Sequence, residues 1–187
     1  VILYDCTKRK IVDNHHLPIS TTYPKSGWVE QDATQIWESV KTSLMFLVKK
    51  HKLTDKNTYG ICITNQREAV CSWDSLGTPL APIISWQCKR TSDLCEKMSD
   101  DKKRFLKQKT GLILDSYFSA SKIQWLLDND KSIQEAKENQ ELHFGTIDSY
   151  LIYKLTGGKM FATDTTNACR TMLVDIVHPF EYDPELL

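Results

Sequence analysis

Hydrophobic and polar residues follow two periods along this chain, and each period predicts a different kind of element. At the start, the apolar runs 1–4 and 10–12 are separated by a polar stretch, a pattern typical of a β-hairpin. Two further runs, 69–73 and 81–86, flank the turn-forming residues 74–77 and predict a second hairpin.

The longest helical pattern begins after Asp32, a good N-cap residue. Gln35, three positions later, predicts a capping box. The apolar residues recur at spacings of four, four and three and so fall on one face: Ile36, Val40, Leu44 and Leu47. Because the opposite face carries no basic stripe, we expect the apolar face to pack on a sheet rather than bind a membrane.

The remainder of the chain alternates between short strands and helices, which predicts an α/β fold. The pattern predicts helices over 91–108, 119–127, 131–141 and 146–155, a loop over 111–118, and strands at 142–144 and 171–176. Thr146 is placed to cap the last helix, and a pair of glycines after it predicts the helix end.

The stretch 59–68 joins an apolar run to four polar residues. Its first half, 59–64, is uncharged and rich in β-branched residues, which predicts a buried strand. Its second half, 65–68, follows at the carboxyl end of that strand, where α/β sheets bind ligands. Arg67 offers a planar donor fork and Glu68 two acceptor oxygens, so we expect this strand end to hold neighbouring hydroxyl groups. An ordinary surface ion pair between Arg67 and Glu68 is the alternative.

Composition narrows the function classes. The chain of 187 residues has 24 basic and 24 acidic residues, so its charge does not indicate nucleic acid or an anionic membrane as a partner. No apolar run is long enough to span a membrane, and the six cysteines include no Cys-x-x-Cys pair, as expected of reduced thiols. We therefore expect a cytoplasmic protein.

Familiar catalytic motifs are missing from the sequence, including the Walker phosphate loop, Gly-x-Gly-x-x-Gly, Gly-x-Ser-x-Gly and His-Glu-x-x-His. The adjacent His15 and His16 would point to opposite faces of a strand, which disfavours a metal site. Trp86, at the end of its strand, is either core or an apolar wall for the carbon side of a polyol. The residues alone predict an α/β domain with a hydroxyl-binding patch.

Six stretches together resemble the FGGY family of carbohydrate kinases, and within it the branch that phosphorylates glycerol. In chain order they are GWVEQD (27–32), ITNQRE (63–68), WQCKRT (86–91), YFSASK (117–122), FGTIDS (144–149) and TDTTNACRTML (163–173). A single stretch of this length would be weak evidence for a family. Six stretches in the same order and spacing across nearly the whole chain are specific evidence for it.

The resemblance implies an actin-like, ribonuclease H-like α/β domain, with a mixed β-sheet flanked by helices. It implies that residues 1–187 are the N-terminal, polyol-binding half of a two-domain enzyme. The family's first strand and phosphate-binding hairpin would precede Val1, and the second, nucleotide-binding domain would lie beyond Leu187.

The resemblance also implies roles for four residues. By analogy, Arg67, Glu68 and Tyr117 hydrogen-bond the hydroxyl groups of glycerol. Trp86 packs on the carbon backbone of the same molecule, which moves it from the core to the site. These four are the substrate-binding residues that we expect.

The implied activity is in-line transfer of the γ-phosphoryl group of ATP to a terminal hydroxyl of glycerol, giving glycerol 3-phosphate. ATP and Mg²⁺ would be bound mainly by parts outside residues 1–187, and the catalytic aspartate of the family would lie beyond Leu187. We therefore expect no catalytic, nucleotide-binding or metal-binding residue in this stretch, and negligible turnover from it alone.

Two alternatives stay open. One is a kinase for another polyol or a ketose such as xylulose, since the fold is shared across the family. An aromatic wall of Trp86 and Tyr117 favours a small triol, because it leaves little room for a five-carbon sugar. The other is a non-catalytic module that binds a polyol or a protein partner. A homo-oligomer is compatible with each of these.

Overall fold

The protein, represented by a computed structural model, is described over residues 1–178 and 181–187. It has a mixed α/β fold, and its chain divides into two compact units. The first unit consists of Val1–Ser20 and Asp32–Ile63, and the second of Thr21–Gln31 and Thr64–Leu187.

The first unit opens with the predicted hairpin. Strand β1 (Ile2–Asp5) pairs antiparallel with β2 (Lys10–Asn14), which confirms that prediction. The Asp5 carboxylate accepts the backbone N–H groups of Thr7 and Lys8, each at 2.9 Å, and so fixes the turn between the strands.

Helix α1 (Ala33–His51) completes the ordered elements of the first unit. The Asp32 carboxylate caps it by accepting the N–H groups of Thr34 and Gln35 at 2.7 and 3.3 Å. The capping box is wrong in its second half, because the side-chain Oε1 of Gln35 accepts the N–H of Ser20 at 2.7 Å instead. The predicted apolar face is confirmed, since its residues Ile36 and Leu47 are buried.

The predicted strand at 59–64 is wrong. No regular strand is assigned to these residues, and Tyr59 and Ile61 are 95% and 59% exposed. A strand needs a neighbour that pairs its N–H and C=O groups, and the described part of the chain supplies none here. The apolar, β-branched composition gives these residues a local preference for the extended conformation. Forming a buried strand also requires a neighbouring strand to pair with.

The second unit contains two small sheets. Strands β3 (Thr21–Thr22), β4 (Glu30–Gln31) and β6 (Ile83–Ile84) form one in that order, and β5 (Cys71–Trp73) pairs with β7 (His143–Gly145) in the other. Every one of these described pairs is antiparallel.

The predicted second hairpin is confirmed at its turn, where the N–H of Gly77 donates to the Asp74 carbonyl at 2.9 Å. Its two arms pair antiparallel through the isolated bridges Val70–Ile84 and Trp73–Pro79. The regular strands within them pair elsewhere, β5 with β7 and β6 with β4.

Helices account for the rest of the second unit. They are α2 (Ser92–Lys97), α3 (Asp100–Thr110), α4 (Ser119–Asn129), α5 (Lys131–Glu138), α6 (Ile147–Leu155) and α7 (Thr165–Ala168). The predicted helices are thus present, with the first divided in two at Ser99, whose hydroxyl caps α3. Thr146 occupies the N-cap position of α6 as predicted, but its side chain makes no capping bond. Within the described ranges, no helix has both the length and the apolar character needed to cross a membrane.

The predicted strand at 171–176 is wrong, and turns occupy this stretch. The Thr171 hydroxyl donates to the Ala168 carbonyl at 2.6 Å and accepts the Leu173 N–H at 3.1 Å. Met172 between them adopts a left-handed backbone with φ of 64°. A side chain that bonds its own backbone offers an alternative to strand pairing, which the apolar pattern does not reveal.

The core of the second unit forms between its three-stranded sheet and helices α4 and α5. Its buried members are Val29, Val70, Ala81, Ile84, Cys88, Leu126 and Ile133. A second cluster surrounds Trp73, which is fully buried and lies 5.3 Å from the ring of Tyr150. Together these clusters hold β5, β6 and α4 in fixed positions.

Candidate functional site

The four polar residues at 65–68 separate in the structure instead of forming one patch. Asn65 donates to the Asp148 carboxylate at 3.2 Å, and Gln66 donates to the Gln31 side chain at 2.6 Å. Arg67 is exposed, whereas Glu68 is buried. Arg67 and Glu68 lie in a turn, so adjacent side chains leave it in different directions. The alternative interpretation, an ion pair between Arg67 and Glu68, is not found among the ion pairs of the described residues, where Glu68 pairs with Arg170.

Glu68 pairs with a residue 102 positions away. The guanidinium Nε of Arg170 donates to Oε1 of Glu68 at 2.7 Å, and the Glu68 residue is only 3% exposed. Burial works against the charge on Arg170, yet the hydrogen bond and negative charge of Glu68 outweigh it and raise the pKa of the guanidinium. A hydrogen bond between two charged groups is among the stronger polar contacts, and it fixes the carboxylate of Glu68 in place.

Two aromatic side chains stand beside this ion pair. The ring of Tyr117 lies 5.5 Å from that of Trp86 in an edge-to-face arrangement. The Arg170 guanidinium lies over the rings of Tyr117 and Phe118, at 5.8 and 4.9 Å from their centres. Trp86 remains 37% exposed, so its ring presents an apolar face to the outside of the unit.

The structure therefore brings together three of the four predicted site residues. Arg170 connects Glu68 to Tyr117, and Tyr117 contacts Trp86. Together they place a carboxylate, a cation and two aromatic rings around one surface. Such a surface can accept hydrogen bonds from hydroxyl groups and shelter a short carbon chain.

Sequence reasoning missed Arg170 as a member of this cluster. It lies in the stretch 163–173, which contributed to the family resemblance without any role being assigned to the arginine. No local pattern links it to Glu68, because the contact spans most of the second unit.

A second polar network lies around Asp148, which is 3% exposed. Its two carboxylate oxygens accept from Asn65 at 3.2 Å and from the Thr163 hydroxyl at 2.7 Å. Asn65 also donates to the side chain of Asn167 at 3.1 Å. All of these partners are neutral, and they tie the segment before the Arg67–Glu68 turn to α6 and α7.

The described residues of the candidate site show no set of side chains arranged as metal ligands. Over residues 1–178 and 181–187, no group of three or more His, Cys, Asp or Glu side chains is arranged to hold one. The polar clusters described above are satisfied by amide, hydroxyl and guanidinium groups. We assign no metal-binding role to them.

Sequence comparison identifies relatives that match almost the whole chain. The glycerol kinase of Leptospira biflexa is 46% identical over 184 residues, which cover 96% of this chain and 36% of that protein. The glycerol kinase of Clostridium perfringens is 41% identical over 189 residues, covering 100% of this chain and 37% of that protein. The chain thus spans little more than a third of the length of these relatives.

Solved structures show the same fold. The crystal structure of the glycerol kinase of Plasmodium falciparum with ADP superposes with a TM-score of 0.85 at 34% identity, covering 99% of this chain and 37% of that one. A ligand-bound xylulose kinase of Lactobacillus acidophilus superposes with a TM-score of 0.82 at 24% identity, covering 100% and 36%. The second match shows the fold alone, which is the actin-like, ribonuclease H-like fold expected above.

The family model described as the N-terminal domain of the FGGY family of carbohydrate kinases matches residues 1–187. This match extends over the whole chain, and the relatives at 41% and 46% identity agree with it. The chain therefore belongs to the FGGY family of carbohydrate kinases.

Proposed function

We propose that this chain is the polyol-binding part of an ATP-dependent kinase that converts glycerol to glycerol 3-phosphate. The observation that carries the proposal is the buried Glu68 carboxylate, held through one oxygen by Arg170 beside the rings of Tyr117 and Trp86. The similarity to glycerol kinases over almost the whole chain supports the choice of substrate.

Each residue contributes a distinct contact in this proposal. Because Oε1 of Glu68 accepts from Arg170, Oε2 is the oxygen that accepts from a hydroxyl of the substrate. The Tyr117 hydroxyl is a second polar contact, and the exposed face of Trp86 packs against the carbon chain. Arg67, exposed in the same turn as Glu68, is proposed as a further hydrogen-bond donor to the hydroxyl groups.

ATP with Mg²⁺ supplies the phosphoryl group in the proposed reaction. The Plasmodium falciparum relative was solved with ADP, which supports nucleotide use by this family member. We propose that parts of the protein outside residues 1–187 provide most of the nucleotide site. The residues of this chain bind the acceptor and orient its terminal hydroxyl, and positioning of this kind supplies much of the rate of a phosphoryl transfer. Cytoplasm is the location that such a reaction would have.

The test uses the full-length protein that contains this chain. Steady-state formation of ADP is measured with ATP and either glycerol or xylulose as the acceptor. We expect saturable, glycerol-dependent ADP formation, with a kcat/KM for glycerol at least about a hundredfold above that for xylulose.

The variant Glu68→Gln tests whether the activity with glycerol depends on this site. It removes the charge while keeping the shape, and we expect it to lower kcat/KM for glycerol by about tenfold or more. A higher kcat/KM for xylulose than for glycerol would contradict the proposal. So would an unchanged kcat/KM for glycerol in the Glu68→Gln variant. Absence of any acceptor-dependent ADP formation would favour a non-catalytic module.

A further inference from the structure

Lys122 is a charged side chain that the proposed function does not use, although it is completely buried. It is the fourth residue of helix α4. Its ammonium group donates to the carbonyl oxygens of Ser116, Tyr117 and Phe118, at 2.6, 2.6 and 3.0 Å. An ammonium group carries three N–H donors, so these three carbonyl groups use all of them.

This placement is unfavourable for a cation. Burial lowers the pKa of Lys122 to about 8, and the nearby N-terminus of α4 carries positive partial charge. A methionine or leucine would fill most of the same space without the loss of hydration. The particular contribution of the ammonium group is therefore to draw three successive carbonyl groups towards one point.

Those carbonyl groups belong to the segment 116–118, which contains Tyr117. At the N-cap position of α4, Phe118 has no side chain that could cap the helix, so the usual anchor is missing. From the outside, the Asp115 carboxylate accepts the Tyr117 N–H at 2.7 Å. From the inside, Lys122 holds the carbonyl groups. The direction in which the Tyr117 ring leaves the backbone follows from these two anchors.

The same turn of α4 also fixes the other sides of the candidate site. The Ser119 hydroxyl donates to the backbone carbonyl of Glu68 at 3.2 Å. The N–H of Ala120 donates to the carbonyl of Thr171, the residue after Arg170, at 2.9 Å. The first turn of α4 thus contacts the backbone beside each polar member of the site.

We propose that Lys122 is a positioning residue for polyol binding, which holds segment 116–118 so that Tyr117 faces the substrate next to Trp86. Lys122 itself does not touch the polyol. The inference rests on the proposed function and adds to it a residue that acts through the backbone of Tyr117.

The test compares Lys122→Met, Tyr117→Phe and the double variant in the full-length protein. The KM values for glycerol and for ATP are measured separately, together with kcat and the melting temperature. For Lys122→Met we expect the KM for glycerol to rise about tenfold or more while the KM for ATP stays within about twofold, since misplacing a binding group weakens only its own substrate.

The double variant distinguishes positioning from a general structural role. If Lys122 acts through Tyr117, Lys122→Met should add little to the glycerol KM once the Tyr117 hydroxyl has been removed. Lys154→Met is the matched control, because the Lys154 ammonium also donates to a backbone carbonyl, that of Gly77 at 3.0 Å, in a different turn. We expect this control to leave the glycerol KM unchanged.

Several outcomes would overturn the inference. One is an unchanged glycerol KM in Lys122→Met when Tyr117→Phe raises it, which leaves the proposed function intact. Another is an equal loss for glycerol and ATP, which would indicate a general loss of structure. A third is full additivity in the double variant, which would show that Lys122 does not act through Tyr117. An unchanged glycerol KM in Tyr117→Phe would contradict both the inference and the proposed role of Tyr117.

If Lys122→Met does not fold, Lys122→Gln replaces it. Gln keeps two N–H donors but loses the charge and one donor, so we expect a smaller rise in the glycerol KM with the same selectivity over ATP. An unchanged glycerol KM in this variant would overturn the inference as well.

Discussion

Glu68 and Arg170 form the ion pair on which the proposed site depends. The Glu68 side chain is 4% exposed and that of Arg170 is 27% exposed, so the pair is shielded on the carboxylate side. Removing the cation would leave a buried carboxylate with one partner fewer, which is strongly unfavourable. The orientation of Glu68 is therefore expected to depend on Arg170.

The first prediction is a double-mutant cycle on this pair in the full-length protein. Glu68→Gln and Arg170→Met should each raise the KM for glycerol. The double variant should lose less binding free energy than the sum of the two single losses, with a coupling energy of about 1–3 kcal/mol. The exposed pair Glu38 and Lys41 serves as the control, since its residues lie 3.5 Å apart in the first unit. Coupling near zero at Glu68 and Arg170 would show that they act independently.

The second prediction concerns the aromatic wall. Trp86→Ala should raise the KM for glycerol by about tenfold, because the carbon chain loses an aromatic contact, while Trp86→Phe should retain most of the affinity. The melting temperature should change little, since Trp86 is already 37% exposed. Leu76→Ala, at a residue that is 87% exposed, is the control and should leave the kinetics as they are. Equal glycerol KM values for Trp86→Ala and the unchanged protein would remove Trp86 from the site.

Residue-level prediction from the sequence was uneven for a physical reason. Glu68, Trp86 and Tyr117 were expected in the site from the family resemblance, and the structure brings them together, although the strand predicted before Glu68 is absent. Arg170 lies in a turn that no periodicity marks, and its pairing with Glu68 exists only in the folded unit. Lys122 looks like an ordinary surface residue of an amphipathic helix, and only the structure shows that it is buried.

At the scale of elements, helices were predicted well because their signals are local. Asp32 caps α1 and its apolar period gives the buried face, and both features can be read within a few residues. Strands at 59–64 and 171–176 were predicted wrongly, because a strand is defined by partners elsewhere in the chain. The turn at 171–176 is held by the Thr171 side chain, an interaction that the apolar pattern conceals.

The third prediction tests the close approach at strand β7. A Cβ atom on Gly145 would lie 2.7 Å from Cβ of Ser149 and 2.8 Å from the Trp73 ring. Both neighbours are buried and cannot move aside freely. Gly145→Ala should therefore destabilise the protein by about 1–3 kcal/mol, measured as the change in urea denaturation. Gly60→Ala is the matched control, because nothing lies within 4 Å of its added Cβ. Equal stability of the two variants would contradict the packing described here.

The fourth prediction concerns pH and the first unit. The Asp13 carboxylate accepts from Lys50 and from His51, each at 2.7 Å. Its pKa is lowered mainly by the hydrogen bond from Lys50, then by that from His51. Because the folded pKa lies below the unfolded one, the resulting stability is present above the unfolded value of about 3.9 and is lost as the pH falls through the folded pKa.

The measurement for this prediction is the melting temperature of the full-length protein and of Asp13→Asn. The variant should melt at a lower temperature near about pH 6, and the difference should shrink as the pH falls below about 4. Asp55→Asn, at an exposed residue, is the control. A difference that stays constant with pH would show that the ionised carboxylate of Asp13 makes no net contribution.

At the scale of the whole molecule, this chain corresponds to part of the length of its relatives. The chain spans 36–37% of its glycerol kinase relatives and matches the N-terminal domain of the family over residues 1–187. Its proposed contribution is to hold an acceptor between a fixed carboxylate and an aromatic wall. The phosphoryl donor and the rest of the catalytic groups are proposed to come from elsewhere in the protein.

The measurement that tests this account most directly is a crystal structure of the full-length protein with glycerol bound. We expect a glycerol hydroxyl within about 3 Å of the free Glu68 carboxylate oxygen, another near the Tyr117 hydroxyl, and the carbon chain against Trp86. Arg170 should remain on the other oxygen of Glu68. Glycerol bound at a different place, with the cluster of Glu68, Arg170, Tyr117 and Trp86 left without it, would contradict the central claim.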